Sequence, residues 1–197
     1  VNPAKQSWNG GVHCVLCGRI VKGKGHLDAI KALGELKKQG YNNIYLHIVG
    51  DTTNTNEKYL EILSTTIQKY GIKDRVFFEG QIEDMAAFRE KMNIELMCSI
   101  CEPFGRVTVE GMRSGLIVIG ANTGGTIDII RDGYNGYLYQ QGDGCDLARK
   151  IIYVINNREK TRMIVKNAIE FSKSHFTMEK NVEEINAVMV KCVTNCR

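Results

Sequence analysis

Proline is scarce in this chain, with two residues, Pro3 and Pro103, among 197. No stretch rich in Pro, Ser and Gly separates two halves, and the length suits one α/β domain with a substantial core. Long apolar runs are also lacking: none approaches the roughly 20 residues that span a bilayer. The N-terminal segment Val1–Gly11 is polar and has no apolar core of a signal peptide. It reads as a linker or a cut point, so the chain is expected to be one piece of a larger protein. Dense basic runs with interleaved aromatics are missing, which argues against nucleic acid as a partner. The net charge of +4 fits an anionic small molecule or an anionic membrane surface and demands neither. Neither Gly-Lys-Ser/Thr nor Gly-x-Gly-x-x-Gly occurs, so the two common phosphate-loop signatures are excluded.

Cysteines number seven, an odd count that argues against a disulfide framework. Cys14/Cys17 and Cys98/Cys101 have the Cys-x-x-Cys spacing of a zinc site. Both pairs fall in apolar, strand-like runs, and positions i and i+3 of a strand face opposite sides. No metal is therefore expected, and the thiols read as small buried hydrophobes in a reducing cytoplasm.

What is present is an alternation of short apolar runs and helical periods. Strands are expected at Val12–Cys17, Ile44–Val49, Val76–Phe78, Ile94–Ile100, Leu116–Ile119 and Gly136–Leu138. Helices are expected at Gly25–Gln39 (Leu27, Ile30, Leu33 and Leu36 in phase, stopped by Gly40), Asn56–Tyr70, Asp84–Met92, Arg106–Ser114 and Ile127–Arg131. Two further stripes follow, Leu147/Ile151/Ile152/Ile155 and Ile164/Ala168/Phe171. A final helix carries Val182, Ile185, Met189 and Cys192, packed on this domain or strapped to a partner domain. Alternation of this length predicts an α/β fold: a parallel sheet of about six strands with helices on both faces. In such sheets ligands bind beyond the carboxyl ends of the strands, where every unusual cluster of this sequence falls.

The richest cluster is Cys101-Glu-Pro-Phe-Gly-Arg-Val-Thr-Val-Glu110. It puts Glu102 in a loop after a strand and Glu110, eight positions on, one turn inside a helix. Gly105 lies between them at the helix mouth, where free backbone N–H groups suit an anion. Two acids beside an anion site point to a ligand with both phosphates and hydroxyls. The loop Gly18-Arg-Ile-Val-Lys-Gly-Lys-Gly25 is either a second phosphate contact or a solvated basic turn. Val49-Gly50-Asp51 and Phe78-Glu-Gly80-Gln-Ile82 are glycine turns at the same edge, and Asp128, after Gly124-Gly125, either caps a helix or meets ligand. Glu110 also sits where a carboxylate favours a helix dipole, with Arg106 and Arg113 in pairing range; a plain surface position is the other reading of Arg113.

In order, these loops resemble the carboxyl-terminal donor-binding domain of GT-B glycosyltransferases, and more narrowly the retaining group 1 enzymes of glycosyltransferase family four. The resemblance rests on Gly18-Arg19 through Lys24-Gly25, Val49-Gly50-Asp51, Glu102 through Glu110 as a Glu-x7-Glu motif, Gly115 through Gly124-Gly125, and Asp132-Gly-Tyr-Asn-Gly136. It implies a Rossmann-like three-layer domain over residues 12–175, with residues 1–11 a linker and 176–197 a C-terminal helix. It implies that Arg19 and Lys24 bind and stabilise the departing diphosphate, and that Glu102 meets the transferred sugar. Gly18 belongs to the same diphosphate loop. Phe104, Gly105, Arg106 and Val107 surround the helix mouth, Glu110 takes the ribose, and Gln81 and Ile82 lie near the base. The donor is then a UDP-, GDP- or ADP-sugar, with no metal or other cofactor. The partner is an N-terminal acceptor-binding domain, and the full enzyme is cytoplasmic and peripheral to the inner membrane face, in polysaccharide or glycolipid synthesis. The piece alone is expected to bind donor weakly without catalysing. Three positions depart from the family pattern: Cys98 before Ser99 in place of Pro, Asp128 in place of Glu, and Thr52 in place of a second glycine. They leave sugar and base undefined. Other GT-B enzymes, such as an epimerase or an inverting transferase, and a non-enzymatic nucleotide-binding module are the competing readings.

Overall fold

The computed structural model describes residues 8, 10–53, 55–177, 182, 186 and 189. Six strands form one parallel sheet in the order β3-β2-β1-β4-β5-β6. They are β1 Val12–Cys17, β2 Ile44–Val49, β3 Val76–Gly80, β4 Ile94–Met97, β5 Ile117–Ala121 and β6 Tyr137–Tyr139. The helices are α1 His26–Lys38, α2 Glu57–Tyr70, α3 Met85–Arg89, α4 Arg106–Arg113, α5 Thr126–Ile129, α6 Gly144–Asn156 and α7 Arg158–His175. Strand alternation divides the core. Cys14, Leu16, Leu46, Ile48, Ile117 and Ile119 face α1, α2 and α6. On the opposite face Val118 packs with α4, α5 and α7, and Val15, Val49 and Leu116 pack beneath Ile82, Met85 and Phe88.

Local chemistry sets the helix ends. The Asn56 side chain accepts a bond from the Lys58 N–H and Gly71 closes α2 in the left-handed conformation. Asp84 caps α3, and Asp143 accepts from both Cys145 and Asp146 to start α6. Several boundaries differ from expectation. The fourth strand ends at Met97 rather than Ile100, because Ile100 N–H turns to the Gly23 carbonyl (2.9 Å) and Ser99 Oγ to Glu102 (3.1 Å). Cys98 and Cys101 are therefore loop residues, not strand residues. Cys101 and Cys145 are exposed, so not every thiol is a core hydrophobe. Burial raises the Cys14 and Cys98 thiols to about 12. Trp8, within the segment expected to be a linker, is buried in the core and covered by the Arg158 guanidinium at 5.2 Å. Of the final helix, Val182, Asn186 and Met189 are helical and exposed, whereas Ile185 and Cys192 lie outside the described residues. No helix among the described residues is long and apolar enough to cross a membrane.

Candidate functional site

Strand order reverses between β1 and β4. The chain runs outward from β1 to β2 and β3, then returns to place β4 on the other side of β1. The loops leaving β1 and β4 therefore diverge and open a crevice at their carboxyl ends. Gly25 brings the two loops into contact. It is left-handed (φ 70°) at the start of α1, and a Cβ there would fall 1.9 Å from the Cys98 carbonyl oxygen. Only glycine permits that approach. Gly50 does the same for the neighbouring turn, where a Cβ would lie 2.0 Å from the Gly18 carbonyl oxygen.

The contact carries the charged groups into register. Lys24 Nζ lies 2.6 Å from Glu102 Oε2, with side chains 27% and 14% exposed. Ser99 Oγ donates to the same oxygen at 3.1 Å, and the Gly105 N–H also reaches this carboxylate. Burial opposes the charged form of Glu102, but these donors outweigh it and hold the carboxyl below its usual range. Gly124 and Gly125 brace the loop from the other side. Gly125 N–H donates to the Glu102 carbonyl at 2.7 Å, and a Cβ at Gly124 would lie 2.8 Å from the Glu102 nitrogen.

Helix α4 opens at the same crevice. Gly105 is left-handed (φ 82°) and buried, and no side chain caps the helix, so the first N–H groups of α4, at Arg106 and Val107, point from its mouth. Arg19 is exposed. Glu110 is half-exposed one turn in, with Oε2 3.2 Å from Arg89 and Oε1 3.8 Å from Arg106. Gln81 lies at the end of β3 and lines a cavity of about 290 Å³ with Ile20, Gly50, Asp51, Phe78 and Gly80. Ile82 packs against the core instead.

Lys24 and Glu102 thus meet across the crevice, with Gly18 beside the Lys24 stem and Gly105 at the Glu102 carboxylate; Arg19 lies on the same loop after β1, Arg106, Val107 and Glu110 lie in the first two turns of α4, and Gln81 follows β3. The Phe104 ring turns elsewhere, edge-on to Phe176 at 6.0 Å. Arg113 does not pair with Glu110; its guanidinium donates to the Ser172 and Phe176 carbonyls and ties α4 to α7. Asp128 caps no helix. The Asp132–Gly136 turn is structural: Asn135 is buried, accepts from Arg131 N–H and donates to the Ile129 carbonyl.

Arg89 and Glu95 were not anticipated. Both are buried, 4% and 0% exposed, and Arg89 Nε meets Glu95 Oε2 at 2.8 Å. The signal in the sequence is one carboxylate inside an otherwise apolar strand. Burial raises the Glu95 carboxyl to about 7 despite Arg89 and the Cys17 thiol, and among the described residues its second oxygen, Oε1, has no hydrogen-bond partner. Arg89 stays charged, its pKa raised because Glu95 and Glu110 outweigh the cost of burying it. The partners pull opposite ways because one guanidinium contact does not repay the desolvation of a fully enclosed carboxylate.

The family model for glycosyl transferases group 1 matches residues 5–171. The chain belongs to this family. An uncharacterized glycosyltransferase of Methanocaldococcus jannaschii is 32% identical over 163 residues, which cover 82% of this chain and 42% of that protein. The lipopolysaccharide core biosynthesis mannosyltransferase LpcC of Rhizobium leguminosarum is 26% identical over 90% of this chain and 51% of its own. The crystal structure of Anabaena HepE in complex with UDP-glucose superposes with a TM-score of 0.85 at 27% identity, over 92% of this chain and 49% of that one. The chain spans about half the length of these relatives, and its fold matches the crystallised C-terminal domain of a glycosyl transferase group 1 family protein from Francisella tularensis, with a TM-score of 0.74 over 85% of this chain and 87% of that one at 23% identity.

Proposed function

We propose that this group 1 domain is the donor-binding half of a retaining transferase of glycosyltransferase family four. The full enzyme moves a sugar from a nucleoside diphosphate to an acceptor hydroxyl, in polysaccharide or glycolipid synthesis. The observation that carries the reading is the Lys24–Glu102 contact across the β1/β4 crevice, 2.6 Å long, beside the uncapped mouth of α4. A cation, an ionised carboxylate and free N–H groups then face one ligand that bears both phosphates and hydroxyls. That solved relatives hold UDP and UDP-glucose supports a nucleotide-sugar donor.

Arg19 and Lys24, with the Gly18 loop and the N–H groups of Arg106 and Val107, receive the diphosphate. Negative charge grows on the leaving phosphate as the glycosidic bond breaks, so fixed positive ends aimed there lower the barrier. Glu102, kept ionised by its donors, accepts from the hydroxyls of the transferred sugar. Glu110 accepts from the ribose, and the cavity that Gln81 lines takes the base, with backbone groups of Gln81 and Ile82 as its contacts. Phe104 contributes through its backbone, since its ring is turned to Phe176. Diphosphate neutralisation is assigned to these groups rather than to a metal. The anomeric configuration is kept by a front-face route through an oxocarbenium-like state, so Glu102 and Glu110 are not a nucleophile and acid pair. The acceptor belongs to a separate N-terminal domain, and this piece alone binds donor weakly without transferring sugar.

Calorimetric titration with uridine, guanosine and adenosine diphosphates and their sugars tests the reading. Binding of one series, lost in Glu102→Gln/Glu110→Gln, is expected. Absence of binding to every member, or affinity unchanged in that double variant, overturns it. Anomer analysis of the product of the full enzyme decides retention.

A further inference from the structure

A buried Arg–Glu pair is a poor source of stability, because desolvating two charges costs about as much as their attraction returns. Arg89 and Glu95 are nevertheless enclosed at 4% and 0% exposure. The geometry shows what the arrangement accomplishes. Arg89 Nε is anchored on Glu95 Oε2 at 2.8 Å, while Nη2 of the same guanidinium reaches Glu110 Oε2 at 3.2 Å. A guanidinium is planar and rigid, so fixing one nitrogen aims the other. Gly111 lets α4 approach the anchor, since a Cβ there would lie 2.8 Å from Glu95 Cγ. That close approach seats the Glu110 turn over Arg89. Glu110 is 43% exposed, and among the described residues the one ion pair of its Oε1 is with Arg106 at 3.8 Å, itself 83% exposed. Oε1 is therefore the carboxylate oxygen that remains open to a further donor. A half-exposed glutamate on a helix otherwise samples several rotamers and must surrender that freedom on binding.

We infer that Arg89, held by the buried Glu95, is a positioning residue that fixes the Glu110 carboxylate so that Oε1 meets the 2′- and 3′-hydroxyls of the donor ribose. The inference rests on the reading of this site as a nucleotide-sugar site. Arg89 touches no ligand itself; it acts through Glu110. Neither half of the pair suffices. Without Glu95 the guanidinium keeps, besides Glu110, only a long contact to Cys17 Sγ at 3.8 Å, and without Arg89 the Glu110 side chain has only an exposed, distant partner among the described residues.

The test compares the nucleoside diphosphate that binds best among UDP, GDP and ADP with its 2′,3′-dideoxy analogue, by calorimetry on this chain. The wild-type chain is expected to prefer the hydroxylated ligand by about tenfold to a hundredfold, the scale of hydrogen bonds to a charged group. Arg89→Met/Glu95→Leu replaces the pair by apolar groups of similar volume, a change that buried pairs tolerate. It should reduce the preference at least fivefold while leaving affinity for the dideoxy ligand unchanged. Arg89→Lys keeps a cation beside Glu95 without the planar fork and should lose preference too, which tests the point even if the apolar variant does not fold. A role in fold alone would weaken both ligands equally, and that result overturns the inference. If Glu110→Gln abolishes the preference while both Arg89 variants retain it, the inference fails and the site reading stands. If the wild-type chain binds no diphosphate, or shows no preference, the ribose role of Glu110 falls and the inference with it.

Discussion

Glu95 makes folding stability fall as pH rises, within a window set by its surroundings. In the unfolded chain this carboxyl titrates near 4.5; in the fold burial raises it to about 7. The folded state therefore binds more protons between those values. The contribution to stability is fully present below about 4.5 and is lost as pH rises through 7. A shift of this size corresponds to about 3 kcal/mol, a large share of the roughly 5–15 kcal/mol that holds a domain together. The cause lies in the enclosure of the carboxylate, with Oε1 lacking a partner and Arg89 returning only part of the cost. Other groups titrate in the same range. His13 and His26 are both lowered by burial, the latter to about 4, and they act with the opposite sign. The measurement is therefore a difference: urea unfolding of wild type and Glu95→Gln between pH 5 and pH 8. Their stability gap should move by about 2–3 kcal/mol against the wild type as pH rises, well beyond extrapolation error. A gap that stays flat refutes the reasoning, because it means that Glu95 is ionised throughout and Arg89 fully repays its burial.

Two more outcomes are expected. Gly25→Ala puts a Cβ against the Cys98 carbonyl in a left-handed backbone. It should cost about 2–4 kcal/mol in thermal or urea unfolding and weaken nucleoside diphosphate binding at least tenfold by moving Lys24; a neutral result would mean that the β1 and β4 loops can separate freely. Lys24→Met should weaken diphosphate binding by about tenfold to a hundredfold with little change in stability, as the pair is partly exposed. Carboxyl titration by NMR in that variant should show Glu102 moving upward, having lost its main cation.

Much of the fold was legible because each element carries its own signal. The first two strands match their expected limits, Val12–Cys17 and Ile44–Val49, since Gly11 and Gly18 flank the one and Asn43 and Gly50 the other. The fourth strand was read too long because apolar Met97–Ile100 looks the same whether it pairs with a neighbour or turns beneath Gly25. The place of Arg113 was open for a similar reason. Helical spacing allowed either Glu110 or the open surface, but the carbonyls at the end of α7, about sixty residues away, take the guanidinium. Arg89 and Glu95 escaped notice because a charged residue in a short helix and a lone acid in a strand have no local reason to be associated.

What the sequence determined by itself is the part written in short-range pattern. Period-two and helical stripes, caps and glycines dictated alternating strands and helices, and the spacing of Glu102, Gly105 and Glu110 dictated a loop acid, a helix mouth and a helical acid. Tertiary structure alone decided the distances between loops. The reversal of strand order at β1 and β4 brings Lys24 to within 2.6 Å of Glu102 across 78 positions of chain, and close packing of α4 on β4 joins Glu95, Arg89 and Glu110. Such contacts depend on where the sheet places each strand, a property of the whole core that no local run of residues encodes.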